Sequence, residues 1–195
     1  MKKLLLATVA AVALPASANA ATLIVDVTGS ESLFAFGTAG NEVETYNIGA
    51  GSRVTGVSFD VNISAFAPSW LSEARLAYTD SGVTTGVFFT PGIGDNFSGT
   101  SNYSGITDLV GLGLDFVVGA DGILRLEYFE GFVDDAASPD AIWDSGTITF
   151  TYTLGAIPEP TTWAMLIFGF GAIGGALRNR NRRRTRKTNV RVSYA

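Results

Sequence analysis

The chain has neither cysteine nor histidine among its 195 residues. Without cysteine no disulfide can staple it, so its stability has to come from a buried core even in an oxidising compartment that would permit disulfides. Without histidine it lacks the side chain most used as general base and as metal ligand. A Ser-His-Asp or Cys-His catalytic group cannot be assembled, nor can an ordinary zinc site. Of the 13 lysines and arginines, Lys2 and Lys3 stand at the N-terminus and eight follow residue 177, leaving Arg53, Arg75 and Arg125 between residues 21 and 157. That stretch has no lysine at all, so it cannot form a phosphate-cradling glycine loop of the kind that needs one. Against its three arginines stand 17 carboxylates, a formal charge of three minus seventeen, or −14. Such a surface repels nucleic acid and anionic polysaccharide, and leaves cations, neutral glycans and other proteins as partners.

Charge-free apolar runs are confined to the two ends. Met1-Lys2-Lys3 precedes an apolar run over residues 4–14 and then Pro15-Ala16-Ser17-Ala18-Asn19-Ala20. A basic start, an apolar middle and a small-residue Ala-x-Ala end predict a secretory signal peptide over residues 1–20, cleaved between Ala20 and Ala21. At the other end Pro158-Glu159-Pro160 should stand extended, because proline lacks a donor, fixes φ and disfavours helix in the residue before it. Residues 161–177 follow without a charge. At roughly 1.5 Å per residue they make about 25 Å of helix, against about 30 Å of bilayer hydrocarbon, which predicts a single, short transmembrane helix. Gly171 and Gly175 give it a close-approach face, and Trp163 would anchor its outer end at the interface. Arg178, Arg180, Arg182, Arg183, Arg184 and Arg186, with Lys187 and Arg191, then form a basic cluster. Such a cluster is retained on the cytoplasmic side, which places everything before the helix outside.

The order Pro-Glu-Pro-x-x-Trp-Ala-Met-Leu-Ile, a Gly-Phe-Gly-rich helix and an arginine-rich end resembles the PEP-CTERM sorting domain. The resemblance implies recognition by an exosortase, a membrane protease and transpeptidase of Gram-negative bacteria, and an association with exopolysaccharide and biofilm. The site residues it implies are Pro158, Glu159, Pro160 and Trp163, with the arginines as topogenic cluster. Family members usually stop soon after the arginines, whereas this chain runs on to Ala195. The expected organisation is therefore a signal peptide (1–20), an exported domain (21–157), a sorting signal (158–187) and a polar tail (188–195).

Between residues 21 and 157 apolar residues recur with period two, broken by Gly, Asn, Asp and Ser clusters, which is a β pattern. Strands are predicted over residues 23–27, 33–36, 43–48, 53–63, 73–79, 86–90, 112–118, 123–129 and 147–154. The clearest are residues 53–63, with Val57, Phe59, Val61 and Ile63 on one face, and 147–154, with Ile148, Phe150, Tyr152 and Leu154 opposite four threonines. Residues 90–105, rich in Gly, Asn and Ser, are expected to be a long loop, and Asp121-Gly122 a hairpin turn. Eight or nine strands without an amphipathic helix predict an all-β antiparallel sandwich, jelly-roll or immunoglobulin-like, with a closed barrel as the other option. Residues 103–152 are also similar to the β-sandwich domains that often precede PEP-CTERM signals, and to carbohydrate-binding and proprotein-convertase P-type sandwiches.

Three chemistries compete with a plain scaffold. Asp121, Glu130, Asp134, Asp135 and Asp140 could gather oxygens around a structural Ca²⁺, but their spacing is not that of an EF-hand, and solvated turns explain them as well. A glycoside hydrolase needs only two carboxylates about 5 to 9 Å apart, and nothing marks one pair among 17 acids. Trp70, Tyr103, Phe132 and Trp143, in or beside expected loops, could stack on sugar rings in a lectin-like module, or could serve as core and rim packing. No catalytic residue, resident cofactor or metal ligand is assigned.

Overall fold

The computed structural model describes residues 20–155, 160–185 and 193. The chain divides into two compact units, Met1–Ala156 and Ile157–Ala195. The expected signal peptide up to Asn19, the residues Pro158 and Glu159, and the tail apart from Ser193 lie outside the described residues.

The first unit is all-β. Its strands are β1 (Ala20–Asp26), β2 (Ser30–Ser32), β3 (Val43–Asn47), β4 (Arg53–Ala65), β5 (Ala74–Asp80), β6 (Gly86–Phe89), β7 (Gly99–Asp108), β8 (Phe116–Val117), β9 (Ile123–Glu130) and β10 (Ala141–Thr153), with one turn of helix, α1 (Leu109–Leu112), after β7. Two antiparallel sheets result. One runs β1-β10-β4-β7, with β2 on β10 and β8 on β4, and the other runs β3-β9-β5-β6. Among the eight longer strands, the first lies beside the last. This is not the immunoglobulin order, in which the first strand pairs with the second, so that option is corrected.

The core lies between the sheets, and the period-two pattern builds it. Val57, Val61 and Ile63 of β4 and Ile148 and Phe150 of β10 meet Leu76 and Tyr78 of β5 and Leu124, Leu126 and Tyr128 of β9, all buried. Tyr78 stands edge-on to Phe150 at 5.1 Å and Tyr128 to Trp143 at 5.5 Å, joining the two sheets. Thr147, Thr149, Thr151 and Thr153 take the opposite parity, as expected. The bulge in β10 requires Gly146, whose φ is +119° and where a side chain would strike the Asp60 carbonyl. The turn at Asp121-Gly122, where Gly122 has φ +73°, closes no hairpin: β8 pairs with β4 in the first sheet and β9 with β3 and β5 in the second, so the expected hairpin is corrected to a crossing between the sheets.

Four expectations are corrected. Residues 90–105 are not one loop, because β7 starts at Gly99 and pairs with β4 over ten residues without a register shift. An edge strand needs few apolar residues, and Gly105 makes room for the ring of Phe59. The strand expected over 112–118 shrinks to β8, because Asp108 caps α1 by accepting the Val110 N–H at 3.0 Å and Gly113 closes it in the left-handed region. Residues 33–36 form no ladder and fold over the outer face of the second sheet. There the buried Glu127 accepts from Gly37 N and Asn41 Nδ2, both at 2.7 Å, and Phe36 packs on Phe88 and Phe129. Leu154 lies one residue beyond β10 and is exposed.

In the second unit α2 (Pro160–Thr185) is a 26-residue helix. Pro160 is its first residue, where a missing donor costs nothing. No helix among the described residues is long and apolar enough to cross a membrane. This corrects the expectation of a transmembrane span: the charge-free run stops at Leu177 after 17 residues, four of them glycine, and Arg178 and Arg180 follow within the same helix.

Candidate functional site: a sorting helix and an aromatic loop end

Helix α2 of the sorting segment begins seven residues after β10 ends at Thr153. On α2, Trp163, Met165, Leu166, Ile167, Phe168, Phe170, Ile173 and Leu177 are all exposed, and nothing approaches the glycines at 169, 171, 174 and 175. A helix that carries a run of exposed apolar side chains suits contact with another surface. Trp163 lies in its first turn. Arg178 and Arg180 are exposed. Arg182, Arg183 and Arg184 lie in the last turns, and Arg186 lies outside the described residues. Ala20 and Ala21, flanking the expected signal-peptide cut, are the first two residues of β1, paired with Thr153 and Tyr152.

The sandwich carries a second feature at one end, where β4, β6 and β9 finish and β5, β7 and β10 start. Residues 66–73, 90–98 and 131–140 are tied together there. Leu71 N donates to Phe97 O at 3.0 Å and Ser72 N to Asp95 O at 3.1 Å, while Ser72 Oγ reaches Asn96 Oδ1 at 2.8 Å. Phe66 N donates to Asp140 O, Gly131 N to Glu73 O, and Ser69 Oγ to Asp134 Oδ2 at 2.9 Å. The carboxylates are members of this web. Asp140 accepts from Asp134 N and Asp135 N, Glu73 from Trp70 N, and Asp135 from Ala137 N and Ser138 Oγ, which lowers the pKa of Asp135. Five large apolar side chains are exposed on these loops: Phe66, Trp70, Ile93, Phe97 and Phe132.

Glu130 lies beneath them, at the end of β9, paired with Ala74. Its side chain is buried and neither carboxylate oxygen has a partner; the neighbouring Arg75 Nε is likewise buried and unbonded. Burial, then the negative charges of Asp140 and Glu73, push its pKa up from 4.5 to about 9, and Arg75 only partly offsets them.

The structure divides the residues singled out from the sequence. Trp70 and Phe132 are exposed at the loop end. Trp143 is fully buried in the core, with its indole N–H directed at Ser32 Oγ at 3.3 Å, so its reading as a sugar-stacking ring is corrected. Tyr103 is half-buried and donates to Asp95 Oδ2 at 2.7 Å. The five carboxylates considered for Ca²⁺ do not converge. Glu130, Asp134 and Asp140 share the loop end, whereas Asp121 caps a turn at the far end of β9, where hydrogen bonds from Ser81 and Ile123 lower its pKa. Among the described residues no three acidic side chains form a group that could hold a metal ion. Phe66 and Phe97 were missed. Their signal was available, since Phe97 sits in the Gly- and Asn-rich run and Phe66 two residues before a proline.

A search of curated proteins finds no match. Among solved structures, the chain is similar to the infectious bursal disease virus VP2 subviral particle, with 11% identity, 75% of this chain and 37% of that chain covered, and a TM-score of 0.32. It is similar to Desmodium yellow mottle tymovirus, with 10% identity, 78% and 97% covered, and a TM-score of 0.29. This chain thus spans little more than a third of the first of these, and likeness at that level carries no functional argument. The informative match is local: residues 156–183 fit the family described as the PEP-CTERM protein-sorting motif, and the chain carries that motif there.

Proposed function

We propose that this is an exported surface or extracellular-matrix protein, sorted by its C-terminal motif through an exosortase and destined for an exopolysaccharide layer. The carrying observation is the match at residues 156–183, which begins where the first compact unit ends. In this reading the N-terminal signal directs export, and the apolar helix with its basic end holds the chain at the membrane where the exosortase works. Cleavage at or near Pro158-Glu159-Pro160 then releases or transfers the domain. The chain enters that reaction as substrate. Its core extends only from Val25 to Phe150, so a cut there severs no strand and exposes no core residue. The strand order, with the first and last long strands adjacent in one sheet, supports a jelly-roll for the exported domain.

The test is the intact mass of the protein recovered from the producing cell and its medium, beside an exosortase-deficient strain and a Glu159→Ala variant. The mature chain should begin at Ala21 and end near Pro158 only when both the enzyme and Glu159 are present. A helix and basic tail retained in the wild-type strain, or normal maturation of the variant, would overturn the proposal.

A further inference from the structure

We infer that the loop end formed by residues 66–73, 90–98 and 131–140 is a binding site for a neutral polysaccharide chain, stacked on Trp70 and Phe132 and bonded through its hydroxyls to the surrounding carboxylates. The inference stands apart from the sorting proposal, because the site belongs wholly to the sandwich and is present whether or not the C-terminal segment is removed.

Three observations carry it. First, four of the five large apolar side chains exposed on these loops are aromatic: Phe66, Trp70, Phe97 and Phe132. Exposed rings of this kind suit the flat C–H face of a pyranose. Second, the loops are preformed. The bonds from Leu71 and Ser72 to Phe97 and Asp95, from Phe66 to Asp140 and from Ser69 to Asp134 fix the backbone beside each ring, so little ordering entropy remains to be lost on binding. Third, the same loops carry carboxylate acceptors. Asp95 and Asp134 each hold one hydrogen bond from a hydroxyl, from Tyr103 and Ser69, and keep further lone pairs for a ligand. A ligand rich in hydroxyl donors and free of negative charge answers that arrangement. An anionic polymer is repelled by a domain of formal charge −14, and a second copy of the chain would bring the same charge against itself.

Position adds to this. The loop end lies where β10 begins, and its thirteen residues, rising about 3.3 Å each, place Thr153 about 40 Å away. Whatever Thr153 is joined to, these rings stand at the opposite end of that strand.

The test uses the full chain in detergent and follows its retardation on gels containing neutral β- and α-glucans, with polygalacturonate as the anionic counterpart. Trp70→Ala, Phe132→Ala and Trp70→Phe are run beside the wild type, with thermal unfolding checked for each. The expected result is retardation by a neutral glucan that survives roughly 0.5 M salt, where charge pairs between proteins are screened. It should weaken at least about ten-fold in either alanine variant, the loss expected of one stacking ring, and by only a few-fold in Trp70→Phe. Failure of every neutral glucan to retard the chain overturns the inference, as do unchanged retardation in both alanine variants and binding abolished by salt.

Discussion

Replacing Glu130 with glutamine should stabilise the domain at neutral pH and flatten its pH dependence. In the unfolded chain this carboxyl titrates near its ordinary 4.5; in the fold, buried and facing Asp140 and Glu73, it titrates at about 9. Between those values the folded state holds a proton that the unfolded state has released, so stability falls as pH rises. It is unaffected by this group below 4.5, declines by about 1.4 kcal/mol per pH unit above it, and levels off past the folded pKa. At pH 7 the loss is about 3 kcal/mol, a ceiling because local relaxation toward Arg75 would reduce it. A glutamine side chain has the shape of the neutral acid and cannot ionise, so the Glu130→Gln variant should exceed the wild type at pH 7 by up to that amount, or about 10 °C in Tm.

The assay is urea unfolding of both proteins at intervals from pH 5 to pH 9. Asp26, Asp80, Asp121 and Asp135 have lowered pKa values, so their stabilisation is present at neutral pH and is lost as pH falls through the acid range. The difference between wild type and variant in the chosen window therefore isolates Glu130. Parallel curves would refute the reasoning. A variant less stable than the wild type would refute it more sharply, by showing that Glu130 is ionised and paired with Arg75, so that neutralising it leaves a buried guanidinium alone.

Trp143→Ala should cost about 3–5 kcal/mol, as for any fully buried large aromatic, and a loss below about 1 kcal/mol in denaturant unfolding would contradict its place between the sheets. Changing Arg178, Arg180, Arg182, Arg183, Arg184 and Arg186 to glutamine should shift the precursor from the membrane fraction to the soluble fraction, and unchanged fractionation would remove the basic cluster from the sorting mechanism.

What could be read from the sequence divides by how local the signal is. The alternation in β4 and β10 was legible because both strands put a continuous apolar row on the core and short polar residues on the other face. The sorting segment was legible because order along the chain is its signal and no tertiary contact is needed. β7 was not legible: its inward face needs little more than Tyr103, and its glycines and serines are chosen by the neighbouring Phe59 and by its place at an edge. The aromatics illustrate the same limit. Trp143 and Phe132 both stand in polar surroundings in the sequence. Burial of one depends on a β-bulge and on Ser32, and exposure of the other on a loop tied down by a serine 65 positions from its partner. Glu130 looked like one more acid in an acidic loop, and its isolation emerges only when its strand parity points it inward between Asp140 and Glu73.

The pairing of β1 with β10 bears on the order of export, folding and processing. Ala20 lies opposite Thr153, so the first strand acquires its partner only after nearly the whole domain has been made. Such long-range pairing is slow to form and cannot complete on a partly translocated chain. It also brings Ala20, beside the expected signal-peptide cut, against Thr153, the last residue of β10. Under the proposed sorting, both tethers would therefore join the domain at the same end of the first sheet, while its aromatic loops lie at the opposite end of β10. Removal of either tether leaves the ladder from Ala21 to Asp26 in place on β10. On that proposed route neither cut would need to wait for the other.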